Sequence, residues 1–102
     1  MDCKINWTPR AWLTFETNIH YLDIAWTAKE ISNFIIAVEK RLVILTKHPK
    51  IGNARNIKYP NIRSTLVHNK ILLIYKHKPL KNEIDLLVFW NTTQNPKKLK
   101  VK

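Results

Sequence analysis

Residues 62–90 read IRSTLVHNKILLIYKHKPLKNEIDLLVFW, and this stretch decides the fold. It holds three apolar runs, Ile62–Val67, Ile71–His77 and Glu83–Trp90, separated by His68-Asn69 and by Pro79-Leu80-Lys81-Asn82. Apolar, β-branched runs of this length bounded by turn residues read as strands. Connections this short force neighbouring strands to pair antiparallel. The middle run, Ile71-Leu72-Leu73-Ile74-Tyr75, is apolar on both faces, as a central strand must be.

Upstream, residues 48–61 carry Pro49, Gly52, Pro60 and several asparagines and read as a loop. Before that loop, Ile31, Phe34, Ile35, Val38, Leu42 and Leu45 recur at helical spacing. Thr27 with Glu30 three residues on is a capping box that starts this helix. Pro49 disfavours helix at His48, so it stops near Lys47. An earlier stripe, Ala11, Phe15, Ile19, Leu22 and Trp26, predicts a first helix over residues 9–24, with Thr8 as its cap and Pro9 in the first helical position. Cys3, Ile5 and Trp7 alternate with Lys4 and Asn6 as a short strand with one apolar face. The expected class is α+β in the order β-α-α-β-β-β. A helical hairpin packs on one face of a small, mostly antiparallel sheet, and the cations of the second half line the other.

The 102 residues are 45% hydrophobic, enough for one core and too few for a second domain. No apolar run is long enough to span a membrane. Met1-Asp2-Cys3-Lys4 is not an apolar signal segment, so export is not expected, and the single cysteine, Cys3, fits the expectation of a reducing cytoplasm. The formal net charge is +11. It lies entirely in residues 47–102, where thirteen lysines and arginines face Glu83 and Asp85 alone. Such asymmetry points to an acidic or polyanionic partner. Residues 94–102, with Pro96 and four lysines, read as a loose basic tail.

His20, His48, His68 and His77 lack the spacing of a zinc motif, and one cysteine cannot complete such a site, so no metal or cofactor is expected. One glycine excludes a Gly-rich phosphate loop. Glu83 and Asp85 share a face beside a turn and read as solvated acids. The remaining chemistry is cationic and aromatic: Arg63, Lys70, Tyr75, His77 and Trp90. Such groups can cleave RNA without metal, one taking the 2′-hydroxyl proton while cations stabilise the phosphate. Tyr75 and Trp90 read first as core packing, and Arg63 equally as half of a surface ion pair.

Several strings resemble one family. Ile5-Asn6-Trp7-Thr8-Pro9-Arg10-Ala11 is similar to the opening of the RelE/ParE superfamily, the toxins of bacterial type II toxin–antitoxin modules. Leu45, Pro49 and Gly52 resemble its exit from the helical hairpin. Ile62-Arg63, Tyr75, Phe89-Trp90 and Asn95-Pro96-Lys97-Lys98-Leu99 follow its C-terminal pattern. The resemblance covers nearly the whole chain. It implies a growth-inhibiting toxin held in a hetero-oligomer by a cognate acidic antitoxin. ParE-like members act on DNA gyrase; RelE-like members cut mRNA on the ribosome. Near Leu72 the nucleases place an arginine. Their "W-D-x-R-x-x-P" pattern reads Trp90-Asn91-Thr92-Thr93-Gln94-Asn95-Pro96 in this chain, with asparagine for the acid and threonine for the arginine. Threonine cannot supply that bidentate phosphate contact.

The resemblance therefore favours the ParE-like branch, with Arg63, Trp90, Thr93, Lys97 and Lys98 toward the target or antitoxin. The alternative is a metal-independent endoribonuclease using Arg63, Lys70, Tyr75 and His77. A detoxified member and a small basic RNA-binding module complete the set.

Overall fold

The computed structural model describes residues 2–25, 27–54, 58–68 and 70–92. The chain forms β1 (Lys4–Trp7), α1 (Pro9–Ala25), α2 (Ala28–Lys47), β2 (Asn53–Ala54), β3 (Ile62–His68), β4 (Ile71–Lys78) and β5 (Glu83–Asn91). This is a compact α+β domain with a five-stranded mixed sheet in the order β1-β5-β4-β3-β2. β1 runs parallel to β5, and the other pairs are antiparallel. One expectation is corrected: the 48–61 segment is not all loop, because Asn53 and Ala54 pair with Ser64 and Arg63. Two residues are too few to show an alternating pattern.

Both helix starts follow their caps. Thr8 Oγ1 accepts the Ala11 amide at 3.1 Å, and Thr27 Oγ1 accepts the Glu30 amide at 3.3 Å. α2 ends at Lys47, where the His48 amide still reaches the Ile44 carbonyl before Pro49. Its apolar stripe lies on the sheet: Phe34, Val38 and Leu45 are buried, with Ile31, Ile35 and Leu42 packed beside them. On α1, Ala11, Phe15 and Ile19 join the same core. The Leu22 side chain and Trp26 fall outside the described residues.

α1 also completes the sheet chemically. β1 pairs with β5 only as far as Leu86, and beyond that point the backbone groups of β5 on this side need other partners. Buried amides and carbonyls must find them. Thr8 Oγ1 donates to the Leu86 carbonyl, Thr14 Oγ1 accepts the Phe89 amide, and Asn18 Nδ2 donates to the Phe89 carbonyl. The helix thus begins where the strand stops and continues its role with side chains. A register shift between Ile74 and Tyr75, opposite Leu87, accompanies this change of partner.

At the far edge of the turn between β4 and β5, Asn82 adopts a left-handed φ of 55°. Asparagine tolerates this conformation better than most residues. There it clamps the N-terminus: its carbonyl accepts the Lys4 amide, its Oδ1 accepts the Cys3 thiol, and its Nδ2 donates to the Asp2 carbonyl.

Candidate functional site

Tyr75 fixes which face the site occupies. Its side chain is fully buried and belongs to the same core cluster as Phe34, Val38 and Leu45, on the helix side of the sheet. Arg63 stands directly opposite Tyr75 in the β3–β4 register, and His77 follows two residues along β4. Directly opposed residues and residues two apart share a face. Arg63, Tyr75 and His77 therefore meet on the helix side, beyond the C-terminus of α2.

This corrects the expectation that the cations line only the face opposite the helices. Lys76 and Lys78 do project there, and Lys78 pairs with Asp85 at 2.7 Å. Arg63 does not.

The corner is closed by residues 49–52. The Tyr75 hydroxyl donates to the Pro49 carbonyl at 2.8 Å and accepts the Gly52 amide at 3.0 Å. Arg63 Nη1 donates to the Gly52 carbonyl at 2.8 Å and to the Lys50 carbonyl at 3.4 Å. The partners found for Arg63 are thus backbone carbonyls, rather than the acid expected of a surface ion pair. Only glycine fits at position 52. A Cβ there would stand 2.6 Å from the Tyr75 hydroxyl and 2.7 Å from the Ser64 carbonyl oxygen.

Electrostatics follow from this packing. Burial pushes the Tyr75 phenol above its ordinary 10.0, against the Gly52 hydrogen bond and the charges of Arg63 and Arg41. His77 is only 6% exposed. Burial, and then the Lys50 and Arg63 charges, hold its imidazole below 6.5. Among the described residues, Arg63 Nε and His77 Nδ1 are buried without a hydrogen-bond partner. With His77 6% and Tyr75 0% exposed, neither side chain is placed to exchange a proton with a substrate in solution.

The other candidates named from the sequence lie apart. Lys70 precedes β4 and is exposed. At the usual strand rise it is about 17 Å along the strand from Tyr75. Trp90 sits on the opposite face, paired with Leu72 and packed against Ile62, Ile74 and Val88. Thr93, Lys97, Lys98 and the 94–102 tail fall outside the described residues. The charges of Lys50 and Arg41 act on the corner unanticipated, because only folding brings the loop and α2 near β4.

On the opposite face, Asn6 Nδ2 donates to Glu83 Oε1 and to Asp85 Oδ1. Burial disfavours the Asp85 carboxylate. The hydrogen bonds from Lys78 and Asn6, with the charges of Lys78 and Lys76, outweigh this and hold its pKa below the ordinary 3.8. The described residues contain no metal-holding cluster and no helix long and apolar enough to cross a membrane. No family model matches the chain, and a search of characterised proteins returned no match.

Proposed function

We propose that this chain is a ParE-like toxin of a type II toxin–antitoxin module, inhibiting growth through contact with DNA gyrase and neutralised by an acidic antitoxin. One observation carries the choice of contact over catalysis. Arg63 and Tyr75, which a nuclease would need free, are hydrogen-bonded into the 49–52 loop. Four of the residues behind the family resemblance, Pro49, Gly52, Arg63 and Tyr75, are hydrogen-bonded around this corner, which supports the reading. The +11 charge supports an acidic partner.

The test is induction of the full chain in a bacterial host, with plasmid supercoiling and mRNA 5′ ends followed together. The proposal expects growth arrest, loss of gyrase supercoiling by the purified protein, and an unchanged mRNA profile. Codon-positioned cuts would favour the endoribonuclease instead. Growth unaffected by the wild-type chain but arrested after Thr93→Arg would identify a detoxified member. A small acidic protein encoded beside this gene, and co-purifying with the chain, is the expected antitoxin.

A further inference from the structure

A second feature lies away from the Arg63–Tyr75 corner. Lys58, Tyr59, Pro60, Asn61, Ile62 and Lys76 line an open pocket of about 330 Å³. That is near the lower end of the range for small-molecule sites, about 300–1,000 Å³. Its frame is already fixed. The Ile62 amide donates to the Tyr59 carbonyl at 3.1 Å, closing a turn with Pro60 and Asn61 at its centre. The Asn61 carbonyl accepts the His77 amide at 2.9 Å, tying the turn to β4. Ile62 stands opposite Lys76 in the register, so both side chains project on the face away from the helices.

The chemistry of the lining is specific in kind. Tyr59 is 51% exposed, leaving aromatic surface open to a planar group. The Lys58 ammonium stands over one face of the Tyr59 ring, 5.9 Å from its centroid, so a base would stack on the other face with the cation close by. Lys76 brings a second exposed cation from β4, and Asn61 offers an amide with both donor and acceptor. Lysine binds phosphate as a point charge. Aromatic side chains hold bases by stacking without demanding one sequence. A ligand that uses all four groups carries a planar ring and a phosphate within one small molecule.

We propose that this pocket binds a free nucleoside 5′-monophosphate, with the base on Tyr59, its polar edge at Asn61, and the phosphate between Lys58 and Lys76. The assignment does not depend on the toxin reading, since none of these residues belongs to the loop anchor.

Adenosine 5′-monophosphate titrated into the full-length chain, followed by amide NMR shifts, tests it directly. Shifts should centre on residues 58–62 and 76. Adenosine alone and inorganic phosphate alone should each bind at least about tenfold more weakly, since each lacks one of the two contacts. Tyr59→Ala and Lys76→Gln alter exposed side chains; each should weaken binding about tenfold with the melting temperature unchanged. Absence of shifts at millimolar nucleotide, or binding that both variants leave intact, overturns the proposal. An oligonucleotide that occupies these residues where the monophosphate does not overturns it equally, because the ligand would then be a strand.

Discussion

Arg63 and Tyr75 face each other across β3 and β4, and both direct their polar ends into the same four residues, 49–52. A cation and a phenol on a basic sheet suggest chemistry at first sight. In this fold they hold a loop.

Tyr75→Phe should therefore act on stability. It leaves the Gly52 amide and the Pro49 carbonyl without their buried partner, a loss of about 1–3 kcal/mol. Urea denaturation measures it. The proposed gyrase inhibition should survive the change in any folded fraction. An unaltered denaturation midpoint would show that the hydroxyl does not hold the loop.

Gly52→Ala should cost at least as much as a typical overpacking change, about 1–3 kcal/mol. The added methyl meets both the Tyr75 hydroxyl and a backbone carbonyl, and the latter cannot swing away. Combined with Tyr75→Phe, the loss should be smaller than the two single losses added together, because one obstacle is gone. A double-mutant cycle by denaturation reads that coupling.

Much of this architecture is legible in the sequence. The caps at Thr8 and Thr27, both apolar stripes and the three long strands follow from periodicity and turn chemistry, because each signal is local. What stays hidden depends on distant partners. Thr14 and Asn18 look like polar interruptions of a helix, and only the early end of β1 explains them. β2 exists solely as a neighbour of Arg63 and Ser64. Residue type alone singles out Arg63, Tyr75 and His77, one by one. That the first two serve the Pro49–Gly52 loop emerges only from the strand register. Tyr59 and Lys76 share a pocket for the same reason.

Acid should weaken the fold in two separate steps. His77 titrates below 6.5 when folded, so between 6.5 and that lower value the unfolded chain binds more protons. Stability then falls as pH drops through 6.5 and levels off below the folded value. His77→Gln should remove this component from a pH series of melting temperatures. Asp85 gives the second step: its contribution is present above 3.8 and is lost as pH falls through its depressed folded value. Asp85→Asn should flatten that limb alone.

Thr8→Val should destabilise by about 1–2 kcal/mol, at the upper end for a lost helix cap. Its hydroxyl serves two elements at once, accepting from Ala11 and donating to the Leu86 carbonyl. Thr8→Ser keeps the oxygen and should recover most of the loss. Thermal melts of the two variants make the comparison.

The parallel union of β1 with β5 sets an order of events during synthesis. Residues 4–7 leave the ribosome early, yet the strand they pair with is residues 83–86. Until those emerge, Ile5 and Trp7 have no sheet to join, and Thr8 lacks the carbonyl that seats α1. Contacts so distant in sequence are slow to form and leave apolar surface uncovered meanwhile. The nascent protein thus passes most of its translation without the strand that seats β1 and α1, the interval in which a chaperone would find their apolar faces uncovered.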